Sequence, residues 1–277
     1  MNIGWFSTGR DEAARQLLKA AWESIEAGEI QGKISFVFSN REPGESEESD
    51  LFLELVRGYH IPLICFSISN FKERLLRSTG NDKNEDWRII YDREVDYRIE
   101  KFTPDICVLA GYMLIIGEEL CRKHNMINLH PAPPGGPIGS WQEVIWKLIE
   151  SKAEEAGAMM HLVIPELDKG PPVTYCTFPI RGRPFDRYWD EINRHPIIDI
   201  KKRPAANNRL FHLIREYELV REFPLIISTL QALSRGEISI RDGKVINSKG
   251  ESIKGYDLSV KIDQVVKGER LRSLSRA

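Results

Sequence analysis

The sequence predicts an α/β fold: a doubly wound, mostly parallel sheet with antiparallel additions and a C-terminal helix plus hairpin. Three observations carry this expectation. In the first half, short and nearly continuous apolar runs alternate with longer amphipathic segments, as expected of parallel strands covered on both faces. From about residue 158 the β runs lie close together, which suits antiparallel pairing without crossover helices. Near the C-terminus a long helical pattern gives way to a β run with a turn signal at its centre.

The elements follow in order. "NIGWFS" at 2–7 leads into "DEAARQLLKAAWESIEAG", "KISFVFS" into "SDLFLELVRGY", and "IPLICF" into a charged region reaching about residue 103. "DICVLAGYM", "GEELCRKH" and "MINLH" complete the parallel part, and "SWQEVIWKLIESKAEEAG" opens with Ser140 and Glu143 at capping-box spacing. "AMMHLVIPEL" and "PPVTYCTFPI" read as antiparallel strands, and the polar, proline-containing stretch 181–207 as an inserted loop region. "NRLFHLIREYELVREFPLIISTLQALSRG" is a helix interrupted or kinked near Pro224, and "EISIRDGKVINSKG" a hairpin around its "DGK" turn. Residues 1–180 form the core, 208–256 a helix and hairpin completing the same domain, and 257–277 a tail.

The 277 residues, 42% of them hydrophobic, suffice for a sizeable core. Charged residues make up 29% of the chain but nearly cancel, with a net charge of -2 and a pI near 6.4, so no global field favours nucleic acid. No apolar run approaches a membrane span and "MNIGWFSTGR" lacks signal-peptide features, so a cytoplasmic protein with no membrane partner is expected. Cys65, Cys107, Cys121 and Cys176 are widely separated and are expected to stay reduced. A small-molecule partner is the starting expectation.

Candidate chemistry concentrates in "MINLHPAPPGG" at 126–136. In an open parallel sheet ligands bind beyond the carboxyl ends of the strands, and period-2 spacing puts Asn128 and His130 on one side of such an end. Pro131, Pro133, Pro134 and Pro137 remove the backbone donors that a phosphate cradle built on "GGPIG" would need, which leaves a stiff strap across the top of the sheet. Asp168, in the turn "VIPELDKGPPV", is explained by turn chemistry when taken alone. Together, an amide donor, an imidazole and a carboxylate suit acyl transfer: oxyanion binding, proton movement and control of the imidazole. A metal reading on Cys121, His124 and His130 is weaker, because a lone C-x2-H lacks a second ligand pair.

"NLHPAPPGG" and "ELDKGPPV" resemble the Asn-x-His-Pro and Glu-Leu-Asp-x-Gly-Pro motifs of the 10-formyltetrahydrofolate-dependent formyltransferases. "NIGWFSTG", "VFSN", "PDICVLAGYM", "GAMMHLV" and "EFPLII" appear in the family's order, so the resemblance covers most of residues 1 to about 256. It implies a Rossmann-like formyltransferase core with Asn128, His130 and Asp168 catalytic. The co-substrate 10-formyltetrahydrofolate would lie against Met113, Leu114, Ile115 and Ile116 and the turn Pro165, Glu166 and Leu167, with no metal required. His161 would face the same region as a supporting residue.

The implied acceptor is a small-molecule primary amine, expected to be phosphorylated and first of all the glycinamide ribonucleotide of purine biosynthesis, held at Ser7, Thr8, Gly9 and Arg10. The resemblance allows a homodimer. Three departures bear on the acceptor. "STGRDEAAR" places Asp11 and Glu12 where an anion should sit, with Asp11 also readable as a helix N-terminal residue. Leu219 stands where the family has a ribose-contacting glutamate, with Glu218 and Glu222 nearby, and extra residues fall at about 68–98 and 183–207. A formyltransferase for another amine, such as an amino sugar nucleotide, or a non-catalytic formyl-folate-binding module would fit the same motifs.

Overall fold

Both faces of β1 (Asn2–Ser7) are apolar, which commits it to the middle of a sheet: Ile3 and Trp5 join one core and Phe6 another. The computed structural model describes residues 1–79, 87–193 and 208–274. After β1 come α1 (Glu12–Glu26), β2 (Lys33–Ser39), α2 (Glu47–Gly58), β3 (Leu63–Cys65), α3 (Ile68–Thr79) and α4 (Trp87–Ile99). β4 (Ile106–Leu109), α5 (Glu118–Lys123), β5 (Met126–His130), α6 (Trp141–Glu150), β6 (Glu155–Leu162), β7 (Pro172–Pro179) and α7 (Asp186–Asn193) follow. The last part holds α8 (Arg209–Ser234), β8 (Ile238–Arg241), β9 (Lys244–Asn247), β10 (Ser252–Ile253), β11 (Tyr256–Asp257) and α9 (Ser259–Leu274).

The eight-stranded sheet runs β11-β7-β6-β5-β4-β1-β2-β3. Its pairs from β5 to β3 are parallel, whereas β6 pairs antiparallel with both β5 and β7. The chain winds outward from β1 to β3 and then returns to β4 on the other side of β1. That reversal makes the carboxyl ends of β1 and β4 a topological switch point, where such sheets open a crevice. Thr8 N donates to Gly111 O at 3.2 Å and joins the two diverging loops.

On one face α1, α2, α8 and α9 cover Ile3, Trp5, Val37, Val108, Ile127 and Met160. On the other, Phe6, Phe36, Phe38, Leu109 and Met126 pack with Tyr91, Val95 and Leu120 of α4 and α5. The charged stretch before residue 103 is thus largely helical. It is anchored by Tyr91, which stacks on Phe66 at 4.9 Å and donates its hydroxyl to the Phe66 carbonyl at 2.6 Å. α6 starts as its sequence requires, with the reciprocal Ser140–Glu143 capping box present.

Two expectations need correction. Within 181–207, the described part is partly helical: α7 buries Trp189 and Ile192 against Phe185 and Phe211, and the Trp189 indole N–H donates to Ile180 O at 2.6 Å. The extra segments at 80–86 and 194–207 lie outside the described residues. Residues 257–274 of the expected tail are structured. Asp257 belongs to β11, and α9 buries Ile262 and Val266 in the main core and fastens to α8 through an Arg221–Asp263 ion pair of 2.8 Å. The hairpin forms as read, with Asp242 and Gly243 at φ 50 and 70, the left-handed pair a tight two-residue turn requires. No helix among the described residues is long and apolar enough to cross a membrane.

Candidate active site

β5 ends at the crevice, and its last residues alternate: Asn128 is half-buried at the mouth and His130 is buried. His130 is held by the strap that follows it. Its Nε2–H donates to the Pro137 carbonyl at 3.0 Å, and Lys147 of α6 donates to the neighbouring Ile138 carbonyl at 2.6 Å. A carbonyl can only accept, so the proton of a neutral His130 sits on Nε2 and the Nδ1 lone pair is left facing Asp168. Nδ1 lies 4.0 Å from Asp168 Oδ2.

Asp168 reaches this position because the turn between β6 and β7 folds back over the strand end. Its backbone is left-handed, with φ 56, a conformation aspartate tolerates. Gly170 makes the return feasible, since a Cβ there would fall 1.6 Å from the Leu162 carbonyl oxygen. On the other side, Asp168 Oδ1 is 3.7 Å from His161 Nε2.

His161 lies opposite Asn128 on the antiparallel neighbour β6. Its Nδ1–H donates to the Leu162 carbonyl at 3.0 Å, so Nε2 carries the lone pair and faces the Asn128 amide nitrogen at 3.4 Å. Burial holds its pKa below the ordinary 6.5, outweighing the Leu162 carbonyl and Asp168, which raise it, while His130 lowers it further. A neutral His161 therefore orients the Asn128 amide with its nitrogen inward, leaving the second N–H for a ligand.

Two cavities meet here and share Asn128 and Asp168. The smaller, about 200 Å³, is lined by Met113, Leu114, Ile115, Ile116, Pro165 and Leu167, all expected at a folate site, together with Tyr112 and His161. Glu166 does not line it: the side chain is exposed and its carbonyl closes the turn by accepting from Lys169 N at 3.2 Å. The larger cleft, about 750 Å³, contains His130, Arg10, Trp141 and one face of α8 with Arg215, Leu219, Glu222 and Phe223.

Of the four residues expected to hold the acceptor, only Arg10 lines this cleft. Ser7 is fully buried and accepts from Gly9 N at 3.1 Å. Thr8 is buried as well. Its hydroxyl donates to Asn40 Oδ1 at 2.8 Å and accepts from Met113 N at 3.0 Å. Gly9 has φ 62 and a hydrogen side that faces the Phe52 ring, where a Cβ would come within 2.8 Å. These three side chains build the loop rather than bind at its surface.

On the α8 side of the cleft the sequence pointed to Leu219, Glu218 and Glu222 but not to Arg215, Phe223 or Trp141. Arg215, Leu219 and Phe223 follow one another at i, i+4 and i+8, so they share a face, and Glu222 joins them at i+7. Arg215 Nη1 lies 2.6 Å from Glu222 and 3.6 Å from Glu218, with its guanidinium 4.6 Å from the Trp141 ring centroid. Glu218 is fully buried behind them. Burial pushes its pKa up to about 9, against a lowering by Arg215 and a further rise from Glu222.

His124 pairs with Asp96 at 2.8 Å instead of approaching His130. Among the described residues no three histidine, cysteine or carboxylate side chains are placed to hold a metal ion.

The formyl transferase family model matches residues 13–183, more than half of the chain and the whole span from α1 through the Asp168 turn to β7. The chain belongs to the formyl transferase family. Phosphoribosylglycinamide formyltransferase of Escherichia coli (strain K12) is 28% identical over 168 residues, covering 59% of this chain and 68% of that protein. The solved structure of the phosphoribosylglycinamide formyltransferase of Coxiella burnetii, in complex with CHES, superposes with a TM-score of 0.60 at 18% identity, over 93% of this chain and 98% of that one. A formyltetrahydrofolate deformylase from Pseudomonas syringae pv. tomato shares the same fold, with a TM-score of 0.56 at 19% identity over 89% of this chain and 65% of its own. The chain therefore has the fold shared by a structure named for a phosphoribosylglycinamide formyltransferase and one named for a formyltetrahydrofolate deformylase.

Proposed function

We propose that this formyl transferase moves the formyl group of 10-formyltetrahydrofolate to a primary amine. The observation that carries the reading is the meeting of two cavities at one polar trio. A narrow apolar pocket suits the flat pterin, a wider cleft suits the amine, and Asn128, His130 and Asp168 stand at the junction.

Bound from the two sides, the amine nitrogen attacks the formyl carbon and a new C–N bond forms as the carbonyl π pair moves to oxygen. The free N–H of Asn128 and a protonated His130 would stabilise that oxyanion, and they are held in place before reaction by His161 and Pro137. The attacking nitrogen must lose a proton and N10 of the folate must gain one before the N10–C bond breaks. The 4.0 Å between His130 and Asp168 is too long for direct transfer but accommodates one bridging oxygen or nitrogen, so the pair can relay that proton. The products are the formamide and tetrahydrofolate, and the protein supplies no atom that it does not recover.

Relatives named for phosphoribosylglycinamide make glycinamide ribonucleotide, and with it purine biosynthesis, the first acceptor to test and an amino sugar nucleotide the second, and the lining of the larger cleft bears on whether either phosphate is accepted. The likeness to a deformylase supports one competing reading, in which water takes the place of the amine and formate leaves. Absorbance measurement of tetrahydrofolate release from a 10-formyl folate analogue, with and without a panel of amines, separates these. Amine-dependent release is expected. Equal release with no amine, accompanied by formate, would assign hydrolysis, and no release under any condition would overturn both.

A further inference from the structure

The two walls of the larger cleft also say which kind of amine it can take. At the end of β1, Asp11 caps α1: its Oδ1 accepts from Ala14 N at 3.0 Å, and Glu12 supplies a second acid in the first turn. A helix N-terminus carries roughly half a positive charge, and here the chain's own carboxylate already occupies it. Arg10 adds no unopposed charge, because its Nε lies 3.4 Å from Asp11 Oδ2. Across the cleft the Arg215 guanidinium is taken up by Glu222 at 2.6 Å.

The cleft lining among the described residues therefore holds two guanidiniums, Arg10 and Arg215, against three carboxylates, Asp11, Asp168 and Glu222. A phosphomonoester, carrying about -1.5 to -2 charge at neutral pH, would find no unpaired cation on this lining and would meet an acid where it most needs donors. What the α8 wall does offer is the half-exposed Leu219 with Phe223 beside it, and an adjacent donor and acceptor in the Arg215–Glu222 pair.

Resting on the formyl transfer reading, we propose that the acceptor is a phosphate-free primary amine of low net charge. Its body lies on Leu219 and Phe223, its hydroxyl or amide groups meet Arg215 and Glu222, and its amine reaches the trio. Asp11 is the residue that excludes a phosphate.

The test uses matched acceptors in the tetrahydrofolate-release assay: glycinamide ribonucleotide against its dephosphorylated nucleoside, and glucosamine 6-phosphate against glucosamine. In parallel, calorimetry measures ribose 5-phosphate binding to the wild type and to Asp11→Asn, which keeps a good helix cap while removing the charge. The phosphate-free member of a pair is expected to match or exceed its partner in kcat/KM. Ribose 5-phosphate is expected to bind Asp11→Asn at least about tenfold more tightly than wild type. A preference of about tenfold or more for the phosphorylated members, or saturable ribose 5-phosphate binding to wild type that Asp11→Asn leaves unchanged, would overturn the proposal. If no amine drives release, the formyl transfer reading falls on its own, and the calorimetry still decides whether the cleft accepts a phosphate.

Discussion

The carboxyl ends of β5 and β1 differ in where their polar side chains are spent. At the end of β5, Asn128 and His130 are braced from behind, and with Asp168 across the turn they line the cavities. At the end of β1, Ser7 and Thr8 are turned inward, and Asp11 closes its own helix. Two strand ends separated by β4 in one sheet thus differ: on the proposed reading the β5 end acts on a ligand, while Ser7 and Thr8 at the β1 end hold the fold and leave Arg10 and Asp11 to face the cleft. A polar residue after a parallel strand is therefore evidence of a site only when something else satisfies its bracing side and leaves its working side free.

The largest effect that would break this comparison is at the β5 end. Asn128→Ala removes the oriented N–H without disturbing a packed core, so kcat should fall by about 10²–10³, some 2.7–4 kcal/mol of transition-state stabilisation. The folate KM should stay nearly unchanged, and steady-state kinetics of tetrahydrofolate release would show both. A drop confined to KM would place Asn128 in ground-state binding instead.

The matching change at the β1 end is Thr8→Val, which keeps the shape and deletes the hydroxyl. Met113 N and Asn40 Oδ1 would both lose a buried partner, so stability should fall by about 1–3 kcal/mol, read by denaturant unfolding. The acceptor KM of the folded fraction should hold. A large rise in that KM with no loss of stability would mean that Thr8 faces the substrate after all and would erase the contrast.

Much of this was legible in the sequence, and the reasons for success and failure are physical. The parallel half declared itself because strands such as β1 and β2 are buried on both faces and so read as unbroken apolar runs. The Asn128–His130 pair followed from period 2 at a strand end, and six of the seven residues expected at the folate site line the smaller pocket. α9 was missed because, among its residues with described burial, the buried apolar side chains are Ile262 and Val266, while Val260 and Val265 are exposed on other faces and blur the period. Ser7 and Thr8, expected at the acceptor, turn their side chains into the fold, and the sequence did not signal this for a different reason. The Thr8 partners Asn40 and Met113 lie 32 and 105 residues away, and no local pattern tells a hydroxyl that meets a ligand from one that meets a distant loop.

The smallest effect tests the bracing itself. His161 also lines the smaller pocket and lies 3.7 Å from Asp168, but its hydrogen-bond contact with the trio is the Asn128 amide. His161→Phe, which removes the acceptor for that amide, should therefore cost about tenfold in kcat, or about 1.4 kcal/mol, well below the loss in Asn128→Ala, with the folate KM measured alongside. His161→Gln, whose carbonyl can accept the same N–H, should recover part of that loss, which a merely space-filling role would not. The pH dependence provides an independent reading. Because burial lowers the His161 pKa, the native ring stays neutral as pH falls past its ordinary 6.5 while the unfolded chain takes up a proton. Native stability should therefore decline as pH drops from 6.5 toward the folded value, and that increment should vanish in His161→Gln. Below the folded value the ring is protonated, Nε2–H confronts the Asn128 amide, and the wild type should lose activity on an acid limb that His161→Gln lacks. If the acid limb persists unchanged in His161→Gln, the neutral imidazole is not what holds Asn128, and the oriented amide must be explained by the strand alone.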